Sequence, residues 1–383
     1  MSESSLFDNN NNSNSNNNNA CLIKKLGVVF LFCLTGCGAA LWLSTTTTMT
    51  RAMTLDAAMT LSAIKTSSSS LSSSSSLLCT QNPYLSVLGN PHQQFQLLQD
   101  MESWLDNLAQ HLERANQSDM QHWNHERFLP FEPLTTCPSQ HQMCLGGPCG
   151  DDVSKIACGV SRQFVSLSSN SNNTTTATTT TINNSNATSS ATPPCIVYSI
   201  GGNNHWEFEL DVLRQTPCQV HSFDCTGPRT RFEVPHNPRL VFHYLCLGAT
   251  QQEAPPSNAP CRTRRDVCGP MWTLPQIQRH LNHHHVDLFK MDIEGFEWPL
   301  FEAWQQQQQL DTTATLPMQM LVEIHYRTQF KELAPDRTKD WKTAAHLVLL
   351  QAQLTRMGYA TVVRDDNAKC RHCTELTLLR VKC

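Results

Sequence analysis

Residues 288–298 read LFKMDIEGFEW and predict the fold class of this chain. The first part belongs to an apolar run, residues 286–291, that has the length and composition of a buried β-strand. The run ends on Asp292, and a helical pattern of apolar residues covers residues 298–309. A buried strand that passes through acidic residues into a helix is the repeating unit of a parallel α/β sheet.

Strands and helices of the same kind alternate on both sides of this unit. Further strands are predicted over residues 195–200, 219–223, 240–247, 320–324, 359–363 and 376–381. Helices are predicted over residues 94–114, 207–214, 274–281 and 344–357, and a cysteine-rich loop over residues 137–158. The alternation indicates an α/β fold with a mainly parallel seven-stranded sheet, helices on both faces and a closing hairpin.

The composition indicates that a large part of the 383 residues does not form a packed core. Charged residues make up 16% of the chain, against about 25% in an ordinary globular protein. Runs of Ser, Thr, Asn and Gln take their place, and such polar runs have little to bury. The net charge of −4 gives no electrostatic reason for binding nucleic acid, so we exclude that class of partner.

The N-terminal part of the chain predicts a membrane anchor. After an Asn-rich tail, residues 26–43 form an uncharged apolar run of 18 residues, just long enough to cross a bilayer. Lys24 and Lys25 precede this run, so the positive-inside rule places the tail in the cytosol. The same pattern is typical of a cleaved signal peptide, which is the alternative interpretation.

We therefore expect four segments. These are a cytosolic tail (1–25), a transmembrane signal anchor (26–44), a Ser/Thr-rich stalk (45–93) and a luminal domain (94–383) that a low-complexity insertion interrupts at residues 168–193. This layout predicts a single-pass membrane protein whose domain lies in the secretory pathway, with the Golgi as the expected organelle, or outside the cell.

Cysteines and glycosylation sequons agree with a luminal domain. Fourteen of the 17 cysteines follow the anchor, an even number that suits disulfides in an oxidising compartment. Asn116 begins an acceptor sequon that lies outside the Asn/Thr-rich tract. Cys370 and Cys373 could instead bind zinc, but no second pair at finger spacing accompanies them, so we expect no metal. The histidine-rich residues 280–285 indicate a polar loop.

The residues that follow the predicted strands define the candidate site. In an open α/β sheet, ligands bind at the carboxyl ends of the strands, where the strand order reverses. Gly201 and Gly202 follow the first strand of the sheet, and Asp224 follows the second, 23 residues after Gly201. This separation is close to that between the glycine turn and the ribose-binding acid of nucleotide-binding units. Later strands end on further polar residues: Asp292, Glu294, Glu323 and His325.

Four strings at these strand ends together resemble a methyltransferase-domain family. They are VYSIG at residues 197–201, HSFD at 221–224, LFKMDIEGFEW at 288–298 and LVEIH at 321–325. Residues 150–158 resemble the Asp-Gly-Gly-Lys motif of the family, although its two glycines are missing. The likeness covers roughly residues 137–381. The family includes membrane-anchored methyltransferase-like proteins and is related to FkbM-type S-adenosylmethionine-dependent O-methyltransferases.

The resemblance implies a class I methyltransferase (Rossmann-like) fold with S-adenosylmethionine as cofactor. It implies that Gly201 and Gly202 approach the methionine part of the cofactor and that Asp224 binds the ribose hydroxyls. Asp292 is implied to lie beside the sulfonium or the substrate.

For the chemical step we expect methyl transfer to an oxygen acceptor. His325 is the expected general base, oriented by Glu323 or Glu294, and Asp292 and Glu294 complete the predicted catalytic group. The sequence leaves the acceptor open among a sugar hydroxyl, a protein side chain and a small molecule.

Two other functions are compatible with the same residues. A Golgi-type glycosyltransferase shares the layout, and Asp292 and Glu294 would then bind Mn²⁺ or Mg²⁺ for a nucleotide sugar. A non-catalytic binding module could also retain the fold, since a fold alone does not prove activity. A requirement for manganese would indicate the glycosyltransferase. If every activity were indifferent to Asp224→Ala, the non-catalytic binding module would be indicated.

Overall fold

A computed structural model of the chain describes residues 78–80, 82–117, 125–151, 153–160, 195–256, 261–310, 316–328, 330, 333, 341–366 and 369–383. The predicted tail, the predicted anchor, the stalk up to residue 77 and the low-complexity insertion lie outside these ranges. Among the described residues, no helix combines the length and the apolar character needed to cross a bilayer.

The described residues form six α-helices, eleven strands and four short 3₁₀ helices. The α-helices are α1 Pro91–Asp106, α2 Leu108–Gln117, α3 Glu207–Gln215, α4 Leu274–Leu281, α5 Glu297–Leu310 and α6 Ala344–Arg356. The strands are β1 Gln142–Leu145, β2 Lys155–Cys158, β3 Ile196–Ile200, β4 Gln219–Phe223, β5 Leu240–His243, β6 Cys246–Leu247, β7 Met271–Trp272, β8 Leu288–Met291, β9 Gln319–His325, β10 Tyr359–Asp365 and β11 Cys373–Arg380. The 3₁₀ helices are Pro83–Val87, His125–Phe131, Ser139–His141 and Arg229–Arg231.

Seven of these strands form the central sheet in the order β10-β11-β9-β8-β3-β4-β5. The strands from β9 to β5 in this order run parallel, whereas β11 runs antiparallel to both β9 and β10. The predicted seven-stranded, mainly parallel sheet with a closing hairpin is therefore confirmed. The chain order reverses between β3 and β8, so the loops after these two strands diverge and leave a crevice.

Apolar side chains pack on both faces of the sheet, as a parallel sheet with helices on both sides requires. Tyr198 and Ile200 of β3 belong to the core that α4, α5 and α6 cover. The intervening Val197 belongs to a second core, on the face covered by α1, α3 and the hairpin of β1 and β2. Hydrophobic burial thus fixes the sheet from both sides and leaves its carboxyl edge for polar residues.

The first helical region differs from its prediction. Instead of one helix over residues 94–114, α1 ends at Asp106 and α2 begins at Leu108. At the intervening Asn107, the side-chain amide donates to the carbonyl of Ser103 at 2.8 Å. Such a bond competes with the helical backbone bonds and allows the chain to change direction.

The predicted strand over residues 240–247 also divides, into β5 and β6. Cys246 leaves the main sheet, pairs with Met271 of β7 and forms a disulfide with Cys225. The prediction of one strand over residues 240–247 is therefore wrong, because an apolar run in the sequence does not reveal the disulfide of Cys246.

The folded unit begins earlier than the predicted boundary at residue 94. Cys79 forms a disulfide with Cys383, and Leu78 pairs with Lys382. Tyr84 and Leu85 are buried in the core. Residues 78–93 therefore belong to the domain and not to the stalk, because their apolar side chains are packed against it.

The cysteine-rich residues 137–158, predicted as a loop, contain the antiparallel hairpin of β1 and β2. Two disulfides stabilise it, Cys137–Cys158 and Cys144–Cys149. The hairpin packs on the same face of the sheet as α1 and α3. This packing brings Lys155 of β2 to the ends of the central strands.

Candidate functional site

A cavity of about 450 Å³ lies at the carboxyl ends of the parallel strands, where the strand order reverses. Small-molecule sites commonly measure about 300–1,000 Å³, so this cavity has room for a nucleotide-sized ligand. The residues singled out from sequence all line it: Gly201, Gly202, Asp224, Asp292, Glu294, Glu323 and His325. The structure therefore brings together residues that lie up to 124 positions apart in the chain.

The turn after β3 requires glycine at its first position. Gly201 has a φ of +80°, and a Cβ on it would lie 1.9 Å from the backbone oxygen of Asp292. Asn203 and Asn204 continue the turn with φ values of +50° and +65°, which asparagine tolerates better than most residues. Glycine at position 201 thus allows the turn after β3 to pack directly against the backbone that follows β8.

Asp224 follows β4 and is almost completely buried. Its Oδ2 accepts a hydrogen bond from the backbone N–H of Asn203 at 2.8 Å. Its Oδ1 accepts from the N–H of Thr226 at 2.8 Å and from the Thr226 hydroxyl at 2.6 Å. Since a carboxylate has about four acceptor positions, Asp224 holds the glycine turn in place and retains about one position, on Oδ2, which Arg231 Nη2 approaches to 3.8 Å.

A charged cluster occupies the other side of the cavity. Lys155 forms an ion pair with Glu375, and its Nζ lies 3.5 Å from Glu323 Oε2 and 3.9 Å from Asp292 Oδ2. Lys290 Nζ donates to the carbonyl of Gly201 at 3.1 Å, which connects β8 to the glycine turn.

His325 ends β9 and is held by a carboxylate that sequence analysis did not select. Glu297 Oε1 accepts from the backbone N–H of His325 at 2.7 Å and lies 3.1 Å from its Nδ1. The other ring nitrogen, Nε2, lies 3.8 Å from both Glu294 Oε2 and Glu323 Oε1. Glu297 therefore orients the ring, while Glu294 and Glu323 lie on the side of the cavity.

The pKa values in this cluster follow from burial and from neighbouring charge. Burial alone would lower the pKa of His325, but Glu297 raises it well above its ordinary value. Burial raises the pKa of Glu323, and Asp292 and Glu375 raise it further. Burial would also raise the pKa of Asp292, but Lys290, Lys155 and His325 together lower it. His325 is thus held as an imidazolium and Asp292 as a carboxylate.

The contacts between Glu297 and His325 correct one expectation from sequence, the identity of the group that orients the histidine ring. The group that orients the ring is Glu297 rather than Glu323 or Glu294, and it also raises the pKa of His325; the base role of His325 stays a prediction.

Sequence reasoning did not select Lys155 and Glu209, which line the cavity, or Glu297 and Glu375, which contact residues that line it. Glu297 lies within the string at residues 288–298, and Lys155 within the string at 150–158 that resembles a family motif. Both were therefore visible as parts of strings but not as site residues. Glu209 and Glu375 gave no such signal, because a helix and a closing strand bring them in from elsewhere.

The metal sites considered from sequence receive no support from the described residues. Asp292 faces Lys155 and Lys290, so cations of the protein already occupy its surroundings. Cys370 and Cys373 form a disulfide with each other and are not thiolates. Within the described ranges, Glu323, His325 and Cys373 come close together, but Cys373 is in the disulfide, and the group includes neither Asp292 nor Glu294.

Comparison with known proteins gives one match. A family model described as a methyltransferase domain matches residues 91–380, which is more than half of the chain. No curated protein matches the sequence. The matched region contains every strand of the central sheet and every residue of the cavity named above.

Proposed function

The chain belongs to the methyltransferase-domain family, and from this premise we propose that it transfers a methyl group from S-adenosylmethionine to an oxygen acceptor. The observation that carries the proposal is that three features come together at the point where the strand order of the sheet reverses. A side-chain-free glycine turn, an acid after the next strand and a cavity of nucleotide size meet there.

The residues present fit this cofactor. Any side chain at Gly201 would collide with the backbone of Asp292, so glycine allows the turn after β3 to pack directly beside Asp292 at the edge of the cavity. Asp224 offers an acceptor for a ribose hydroxyl. When bound, S-adenosylmethionine supplies an activated methyl group, and the protein supplies binding and alignment.

Asp292 is suited to contact the sulfonium, the positively charged group of the cofactor that carries the methyl. The lysines and His325 lower its pKa, so it keeps its negative charge at neutral pH. It lines the cavity beside the glycine turn, where Asp292 N–H also donates to Ile200 O at 3.2 Å. Lys155, Lys290 and His325 compensate this charge, so we propose that Asp292 positions the reacting end of the cofactor and not that it supplies a net attraction for a cation.

We propose that Glu323 and His325 handle the proton of the acceptor hydroxyl as a pair, since His325 Nε2 lies 3.8 Å from Glu323 Oε1. Burial, Asp292 and Glu375 raise the pKa of Glu323, and His325 opposes that rise, so the titration of these two neighbouring groups belongs to the pair. Glu323→Gln should lower methyl transfer to a hydroxyl acceptor by about 10²- to 10⁴-fold. Affinity for S-adenosylhomocysteine should stay unchanged. A radiolabelled methyl-transfer screen provides the acceptor for this measurement.

For location we propose a single-pass protein with its catalytic domain in the lumen of the secretory pathway. Seven disulfides pair all fourteen cysteines that follow the proposed anchor, which supports an oxidising compartment. Asn116 lies near the exposed end of α2, where glycosylation would meet no obstruction from the core. The membrane anchor remains a proposal from the sequence pattern.

Calorimetric titration of the full-length protein in detergent with S-adenosylmethionine tests the proposed function. We expect micromolar binding that Asp224→Ala abolishes, because the substitution removes the ribose acceptor and releases the glycine turn. Asp287→Ala is the matched control: Asp287 also accepts a backbone N–H, that of Ile196 at 2.8 Å, but at the opposite end of β3. Folded wild-type protein that binds no S-adenosylmethionine would contradict the proposal.

A further inference from the structure

Glu209 lies in the first turn of α3, directly after the glycine turn, and lines the cavity. Its side chain is fully buried. Oε1 accepts a hydrogen bond from the Ser222 hydroxyl of β4 at 3.1 Å. Within the described part of the chain, Oε2 has no hydrogen-bond partner. Glu209 is therefore a buried carboxylate that is only half satisfied by the protein.

A structural role in the helix does not account for this arrangement. A glutamate at the third position of a helix commonly accepts from the backbone N–H of the residue before the helix. Here that residue is Trp206, and α3 has no side-chain bond at its cap. Ser222 instead fixes the carboxylate against the sheet. A buried carboxylate oxygen without a donor is costly, so a donor from the cavity would relieve it.

The position of Glu209 selects the kind of donor. Its Oε1 lies 3.5 Å from the point that a Cβ on Gly202 would occupy, so the carboxylate adjoins the glycine turn. Asp224, at the end of β4, is the separate acceptor for the ribose. The positive end of α3 stabilises negative charge at Glu209 in the absence of a ligand. A cationic donor that enters beside the glycine turn would satisfy it.

We propose that Glu209 binds the α-ammonium group of the methionine end of the cofactor. This assignment rests on the proposed function and specifies how one end of that cofactor is recognised. Ser222 acts as a positioning residue, because its hydroxyl holds Oε1 and thereby directs the carboxylate.

Two ligands separate this role from a general effect on the fold. S-adenosylhomocysteine carries the ammonium, whereas methylthioadenosine has the same nucleoside and thioether but lacks the amino-acid end. In calorimetry with the full-length protein, Glu209→Gln should weaken S-adenosylhomocysteine binding by about 10- to 100-fold, as expected for loss of a charge-assisted hydrogen bond. Methylthioadenosine binding should change by less than about twofold, and it also reports that the variant is folded.

Glu207→Gln is the matched control: it removes the same charge from the same helical turn and the same cavity, but the Glu207 side chain is exposed whereas that of Glu209 is buried. It should leave both affinities nearly unchanged. Ser222→Ala should weaken S-adenosylhomocysteine binding selectively, by less than Glu209→Gln. Equal losses for both ligands in Glu209→Gln, or an equal effect of Glu207→Gln, would overturn the assignment. Wild-type protein that binds neither ligand overturns the proposed function together with it.

Discussion

Two regions of the sheet bury ionisable side chains in opposite ways. At the cavity, Lys155 lies among the carboxylates of Glu323, Glu375 and Asp292, and opposite charges compensate one another. On the other face of the sheet, His221 Nδ1 lies 2.9 Å from His243 Nε2 among aromatic rings, without a carboxylate contact among the described residues.

The contrast shows in the pKa values. Burial alone would lower the pKa of Lys155, but Glu375, Glu323 and Asp292 raise it. Burial lowers the pKa of His221 to about 3, and the neighbouring His283 and His243 add to the effect. The cavity therefore keeps its charges, whereas the histidine cluster stays neutral. Retained charge marks the side of the sheet that can act on a ligand, and neutral histidines pack as aromatic residues.

The largest effect is expected from removing the cation that compensates the buried carboxylates beside the cavity. Lys155→Met leaves Glu375, Glu323 and Asp292 without their shared cation, and uncompensated buried charge is costly. We expect a loss of about 3–5 kcal/mol in the free energy of unfolding, measured by urea denaturation with the disulfides intact. A loss below about 1 kcal/mol would show that the carboxylates simply take up protons.

An intermediate effect concerns pH and the histidine cluster. The folded-state pKa of His221 is about 3 and that of His243 about 4, whereas an unfolded histidine titrates near 6.5. The unfolded chain therefore binds more protons below pH 6.5, so acid should lower stability, by up to about 1.4 kcal/mol per pH unit for the buried His221 and by less for the partly exposed His243. We expect His221→Phe to remove the contribution of His221 to this pH dependence. The measurement is the free energy of unfolding from urea denaturation at several pH values between 6.5 and 4.5. If the free energy of unfolding depended on pH in the variant as it does in the wild type, groups other than His221 would be responsible for the acid sensitivity.

The smallest expected effect comes from an exposed ion pair. Lys369 Nζ lies 3.6 Å from Asp151 Oδ1, and both side chains are more than half exposed. Lys369→Met should therefore change the free energy of unfolding by less than about 1 kcal/mol, because solvent screens such a pair. This variant is the matched control for Lys155→Met, since the substitution is identical and only the burial differs. A similar loss in both variants would contradict the role assigned to burial.

The sequence predicted the sheet well because each central strand is a short apolar run followed by a polar residue. Asp224, Asp292 and His325 were found for the same reason: they end strands whose carboxyl ends must meet. The partners of Lys155 could not be found in this way, since Glu323 and Glu375 lie 168 and 220 residues away. The break at Asn107 depends on one side-chain bond, and the apolar periodicity of the region does not reveal it.

The disulfide between Cys79 and Cys383 gives the domain the topology of a closed covalent ring. The other disulfides each join cysteines on the same side of residues 161–194. A single backbone cut between residues 160 and 195 would therefore open the ring without dividing it. The fragment with Lys155 would stay covalently tied to the fragment with Asp292 and Glu323, and separation would require reduction as well as proteolysis.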